Sequence, residues 1–232
     1  MTLSADDWEI IRLSLKVSGV AVGLALPVSF ALAYLLARGR FPGKAVLDGL
    51  VHLPLVLPPV VTGWLLLIGF GLRGPIGGPL HDWFGITLIF RWTGAAFAAA
   101  IMALPLMVRA IRLSIEAVDR RLEGAARTLG ASPWHAFRTV TLPLSRPGVL
   151  AALVLGFARS IGEFGATITF VSNIPGETRT LPLAIYAALQ MPGNDATVAR
   201  LAMISVALSL GALVASEWLN RRHAFGRGGH VL

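Results

Sequence analysis

The chain has no cysteine among its 232 residues. A disulfide framework and a thiolate-ligated metal site are therefore both excluded. Charge is scarce too: Asp, Glu, Lys and Arg make up 14% of residues, against roughly a quarter in an average soluble domain. The five histidines, His52, His81, His135, His223 and His230, are too dispersed for a close ligand spacing, so no metal site is expected. No G-x-x-x-x-G-K-[ST] phosphate loop occurs, so ATP hydrolysis is not expected of this chain. No catalytic residue is assigned. Ser160 has no base near it in sequence, which makes a membrane-embedded Ser–His hydrolase a remote alternative. A cleaved leader is not expected either: Asp6, Asp7 and Glu9 stand where a signal peptide carries Lys or Arg.

What is present is apolar surface, gathered into blocks. Hydrophobic residues make up 55% of the chain and the mean hydropathy is +0.72, which points to membrane spans. Five blocks approach the roughly 20 residues a bilayer crossing needs: 17–37, 50–72, 92–108, 149–171 and 201–219. The expectation is an all-α membrane protein, a five-span helical bundle forming a single domain over 1–232. Prolines interrupt several blocks. Pro27 lies in the first and Pro105 near the end of the third, while Pro54, Pro58 and Pro59 fall in the second. A proline removes a backbone donor and bends a helix, and a bundle can cover the freed carbonyl. For Pro58-Pro59 two readings stay open, a plain kink or a broken helix lining a pathway.

The formal net charge is +8. The basic residues sit between apolar blocks with little aromatic interleaving, so nucleic acid is not an expected partner. Thirteen Lys and Arg fall in residues 38–44, 109–146 and 221–227, and six in the alternate connections; Arg159 lies within a block. Positive residues favour the cytoplasmic side. The N-terminus is then outside, the C-terminus is cytoplasmic, and 109–146 is a cytoplasmic loop. The connections 73–91 and 172–200, rich in Gly and Pro turn signals, read as outer loops.

The loop 109–146 carries the strongest pattern. Ile115, Val118, Leu122, Ala125, Ala126 and Leu129 recur at three- and four-residue steps, which predicts one amphipathic helix over 114–129. Gly130 stands where a helix end favours a left-handed residue. Ser132-Pro133 reads as an N-cap followed by proline at the first helical position. It opens a second short helix over about 133–140 that should stop before Pro143. Such a paired helix suits docking into a partner's groove. It equally suits lying on the lipid of the inner leaflet.

The run Glu123-Gly124-Ala125-Ala126-Arg127-Thr128-Leu129-Gly130, followed by Val140-Thr141-Leu142-Pro143, resembles the E-A-A-x3-G-x9-I-x-L-P loop of ABC importer permeases. The resemblance extends over about residues 11–219. Within that family it is similar to the molybdate permeases, of the oxyanion branch that also handles sulfate and tungstate. The residues carrying this are Leu57-Pro58-Pro59-Val60-Val61-Thr62-Gly63, Ala158-Arg159-Ser160-Ile161-Gly162-Glu163-Phe164-Gly165-Ala166 with Thr167 to Phe170, and Ser172 to Thr180. The resemblance implies the type I importer permease fold in a multi-pass protein of the bacterial cytoplasmic membrane. It implies a second copy of the chain, two cytoplasmic ABC ATPase subunits that hold the ATP and magnesium, and an extracytoplasmic molybdate-binding protein. It implies no cofactor on the chain itself. The implied ATPase-coupling residues are Glu123, Gly124, Ala125, Ala126, Arg127, Leu129 and Gly130. One position departs: the family's glutamate falls on Gly124, and Glu123 stands one residue early, a turn of about 100° on a helix. Glu123 then either reaches the ATPase at another angle or is a solvated helix charge, with Arg127 sharing the polar contact.

Ionisable residues inside a span face a bundle interior or a watery cavity. Arg159 and Glu163 are four apart and can pair along one helix face, with Ser160 and Thr167 on the same rough face. These four are the candidate pathway residues, and a purely structural ion pair is the competing reading. Glu163 would repel an oxyanion, so its expected part is to orient Arg159. Sulfate or tungstate transport, and a passive anion channel, are the alternative functions.

Overall fold

The computed structural model describes residues 4–225, with the side chains of 212, 213 and 215–225 outside that description. Among the described residues every element is helical: α1 (Ala5–Arg38), α2 (Lys44–Val56), α3 (Pro59–Phe70), α4 (Gly77–Phe84), α5 (Trp92–Glu116), α6 (Arg120–Thr128), α7 (Pro133–Ala136), a π turn (Phe137–Thr141), α8 (Leu142–Leu144), α9 (Arg146–Ile161), α10 (Gly165–Val171), α11 (Leu181–Leu189) and α12 (Asp195–Phe225).

The first helix opens on a capping box. Ser4 Oγ accepts from the Asp7 N–H at 3.2 Å, and Asp7 Oδ2 accepts from the Ser4 N–H at 2.9 Å. Thirty-four residues make α1 about 51 Å long, beyond the roughly 30 Å of a bilayer's apolar core. The expected first span, 17–37, lies wholly within it. Its buried stripe, Val17, Ala21, Ala25, Ala33 and Leu36, packs on α5.

The hub is α5. Ala95, Ala96, Ala98, Ala99 and Ala103 are fully buried, and such small residues let neighbouring helices approach closely. Glycines serve the same end on α9. A Cβ on Gly148 would fall 2.8 Å from the Ala110 carbonyl oxygen, and one on Gly156 would fall 2.6 Å from Met107 Sδ. One apolar cluster joins α1, α5 and α9. A second joins the first half of α1 to α3, α5 and α10. A third ties α11 to α12.

Two expected spans are broken. The second block, 50–72, divides into α2 and α3, bent by 114°. The cause is local: Leu57 and Pro58 are extended, at ψ 141° and 134°, as residues before proline tend to be, while Pro59 fits the first turn of α3. The helix is therefore broken at Pro58-Pro59 and not merely kinked. The fourth block, 149–171, is not continuous either. It breaks between Ile161 and Gly165, so Arg159 and Glu163 do not share one helix. By length and apolarity, α1 and α5 can each cross a membrane alone, while α2 with α3 and 133–161 reach that length only as bent pairs. The fifth block, 201–219, follows α12, but most of its side chains beyond Gly211 lie outside the described residues, as do those of Arg221, Arg222 and Arg227. The expected outer connections also hold helices, α4 in 73–91 and α11 in 172–200. Leu181, Leu183 and Ala184 of α11 are buried.

Candidate functional site

The expected amphipathic helix 114–129 is two helices. The third block continues as α5 to Glu116, and α6 starts afresh at Arg120. Asp119 makes the division by accepting the Arg121 N–H at 2.9 Å, an N-cap bond. The apolar stripe divides with it. Ile115 and Val118 are buried in the bundle, whereas Leu122, Ala125 and Leu129 are exposed, Leu129 by 89%. No residue of α6 is buried. This helix projects from the bundle with Leu122, Gly124 and Ala125 exposed and Ala126 half-buried.

The turn after it is as expected. Gly130 has φ +93°, a conformation that costs a residue with a side chain about 1–2 kcal/mol. The Ala131 N–H donates to the Ala126 carbonyl at 3.0 Å, closing the helix end. Ser132 Oγ then accepts from the His135 N–H at 3.2 Å and Pro133 begins α7. The second helix does not stop before Pro143. A π turn over Phe137–Thr141 widens the backbone, α8 carries Pro143 within its first two positions, and the chain runs on into α9. The wider turn makes room for the ring and leaves no i−4 bond for proline to break. Two open hollows flank the turn. One, of about 460 Å³, is lined by Gly124, Arg127 and Gly130. The other, of about 630 Å³, is lined by Ala126, Leu129 and Gly130.

Glu123 departs from this outward surface. Its Oε1 accepts from Arg38 Nη2 at 2.9 Å and from Thr141 Oγ1 at 2.6 Å. It is thus paired within the bundle and is not a solvated helix charge. Gly124, at the position of the family's glutamate, faces open space: a Cβ there would meet nothing within 4 Å. Sequence reasoning missed Arg38, which counted only as one more loop charge, and Thr141, although it stands inside the Val140-x-Leu142-Pro143 pattern.

The second group lies where the broken helices meet. The start of α3 packs against the start of α10 so closely that a Cβ on Gly63 would fall 2.9 Å from Thr169 Cβ, and one on Gly165 would fall 2.7 Å from Pro59 Cβ. Two segments a hundred residues apart in sequence, 57–63 and 158–166, are thereby brought together. Arg159 at the end of α9 pairs with Glu163 in the break. The other oxygen of Glu163, Oε1, accepts the Ala166 N–H at 2.8 Å, satisfying a free donor at the start of α10. Arg159 keeps 24% of its side chain exposed and Glu163 only 1%. Thr167 Oγ1 donates to the Phe164 carbonyl at 2.8 Å, so its hydroxyl is spent within the turn. Ser160 Oγ is buried and has no hydrogen-bond partner among the described residues. The expectation of four residues on one helix face gives way to a pair bridging a helix end, with Ser160 before it and Thr167 after it. The segment 173–180 is held compactly. Thr178 Oγ1 donates to the Ser172 carbonyl at 2.9 Å and accepts from the Ile174 N–H at 2.8 Å, and Arg179 Nε donates to Asn173 Oδ1 at 3.1 Å.

Comparison with known proteins follows the same lines. The sequence profile described as binding-protein-dependent transport system inner membrane component matches residues 25–224. The molybdenum transport system permease protein ModB of Escherichia coli (strain K12) is 60% identical over 221 residues, covering 95% of this chain and 96% of that one. The protein of the same name from Haemophilus influenzae (strain ATCC 51907 / DSM 11121 / KW20 / Rd) is 57% identical over 212 residues, covering 91% and 93%. Among solved structures, a chain of a bacterial ABC transporter involved in the import of the acidic polysaccharide alginate superposes with a TM-score of 0.75. It is 18% identical and is matched over 95% of this chain and 80% of that one, which is a likeness of fold.

Proposed function

The chain belongs to the family of binding-protein-dependent transport system inner membrane components, and on that premise we propose that it is the membrane permease of an ATP-driven importer that moves molybdate into the cell. The observation that carries this reading is the near-full-length match, at 60% identity, to a molybdenum transport permease. In this reading two copies form the pathway in the bacterial cytoplasmic membrane, two ABC ATPase subunits dock from the cytoplasm, and an extracytoplasmic binding protein delivers the anion. The projecting α6, the Gly130 turn and α7 form the docking module. Their open hollows and exposed Ala125 and Leu129 support that role. ATP is bound and hydrolysed by the partner subunits.

The topology that fits has five spans, with α2–α3 and α9–α10 as broken ones, Ser132 inside and Gly193 outside. With no native cysteine, an impermeant thiol reagent on spheroplasts should label the Gly193→Cys variant and spare Ser132→Cys. The reverse order inverts the topology. At the junction of α3 and α10, Arg159 offers positive charge to a passing dianion, and Glu163 holds it in place. The segment 173–180 supplies part of the surface for the binding protein.

The test is uptake of radiolabelled molybdate by the reconstituted complex with its binding protein. Uptake should require ATP, and tungstate should compete strongly and sulfate weakly. The three are tetrahedral dianions, so size and hydrogen-bond geometry must separate them, chiefly in the binding protein. Uptake that persists without ATP, or sulfate carried as well as molybdate, contradicts the proposal.

A further inference from the structure

We propose that Arg38, Glu123 and Thr141 form a latch that fixes the projecting α6 to the end of α1, and that Glu123 is a positioning residue of the coupling module, not a contact to the ATPase. The inference rests on the docking role proposed above for residues 120–136, and it says where force received there goes. Four contacts converge on this junction. Arg38, the last residue of α1, reaches both Glu123 Oε1 at 2.9 Å and the Val118 carbonyl at 3.0 Å. In the other direction Arg120, the first residue of α6, donates to the Ala37 carbonyl at 3.3 Å. Thr141, fully buried in the π turn, donates to the same Glu123 oxygen at 2.6 Å. The side chains of Arg38 and Glu123 are only 11% and 23% exposed, so water screens the pair little.

The arrangement ties three elements that are distant in sequence. It joins the first span, the projecting helix and the turn leading into α9. Aromatic packing reinforces one arm: Phe137 of the π turn meets Tyr34 and Phe30 of α1 edge-on, with ring centroids 5.1 and 6.0 Å away. Beyond its chain connections to α5 and α7, a helix with no fully buried residue passes displacement to the bundle through such attachments. The one-residue offset of the acid from the family pattern then has a meaning. The position that faces outward is Gly124, which is empty, and the acid one residue earlier faces inward.

The experiment uses the assembled complex of permease, ATPase and binding protein in nanodiscs. The variants are Arg38→Met, Glu123→Gln and the double variant. ATPase capture, basal hydrolysis and binding-protein-stimulated hydrolysis are measured per assembled complex. Capture and basal hydrolysis should stay normal in Arg38→Met, which lies outside the docking module, while stimulated hydrolysis falls about tenfold in each single variant and no further in the double, the signature of one shared coupling. Arg38→Lys, which keeps the charge but not the planar head whose Nη2 reaches both Glu123 and the Val118 carbonyl, should fall between wild type and Arg38→Met. It carries the test if Arg38→Met does not assemble. Normal stimulation in Arg38→Met or Arg38→Lys, together with weakened ATPase capture in Glu123→Gln, would make Glu123 an ATPase contact and overturn the latch. Lower thermal stability with normal stimulation in all variants would make it a plain structural pair, which also overturns it. Ala126→Trp separates the two levels. If it uncouples the complex while the latch variants do not, only the latch fails. If it too leaves coupling intact, the docking role fails, and the latch with it.

Discussion

Two of the arginine–glutamate pairs among the described residues, Arg38–Glu123 and Arg159–Glu163, are built differently. Arg38 and Glu123 are 85 residues apart in sequence and tie one helix to another. Arg159 and Glu163 are four apart and bridge the end of one helix to the start of the next. In the first pair both partners keep some exposure and both have additional hydrogen bonds. In the second the carboxylate is almost wholly enclosed, and the arginine retains the exposure. The same two side chains thus make an inter-element fastening in one place and a local cap with a half-available cation in the other. What they do is decided by the backbone around them.

Removing the cation from the enclosed pair should have the largest effect. Arg159→Leu strands a Glu163 carboxylate with a single amide donor, and breaking a buried pair in this way costs about 3–5 kcal/mol. Glu163→Gln is milder, because its carbonyl can still accept from Ala166 N–H and Arg159 can turn to water, so a loss nearer about 1–2 kcal/mol is expected. Thermal stability in detergent and anion uptake per assembled complex should both rank Arg159→Leu below Glu163→Gln. The opposite ranking would reverse the assigned roles. The smallest effect belongs to the fastening between elements. Thr141→Val preserves shape and removes one donor to a glutamate that keeps Arg38, so about 1 kcal/mol of stability should be lost. A loss as large as that of Arg159→Leu would mean that the two pairs do not differ as described.

Features set by a few neighbouring residues were legible in the sequence. Gly130, Ser132 and Pro133 announced the turn and the next helix start, and α1 follows its apolar run. Pro58-Pro59 announced a disturbance but not its size, because two prolines in a row suit a plain kink as well as a bend of 114°. The break at 162–164 was not legible. No proline marks it, and it is held by Glu163 accepting from the Ala166 N–H, a donor that the break exposes. The split at Asp119 was written in an N-cap residue that the longer apolar periodicity concealed. Pro143 misled because the π turn before it leaves it in the first turn of α8, where its missing N–H breaks no helical bond. The Arg38–Glu123 contact joins residues 85 positions apart, and no spacing rule along the chain reaches that far.

The central claim is that the projecting surface around Gly130 receives the ATPase, and the most direct measurement is binding-protein-stimulated ATP hydrolysis by the Gly130→Val complex. A β-branched residue at φ +93° is strained, and the turn that sets α6 against α7 should open while the membrane helices, which it does not touch, still insert. The account predicts normal membrane insertion, ATPase pull-down reduced several-fold and stimulated hydrolysis reduced to the basal rate. Wild-type pull-down and wild-type stimulation in this variant would contradict it, leaving α6 as a helix that lies on the membrane surface.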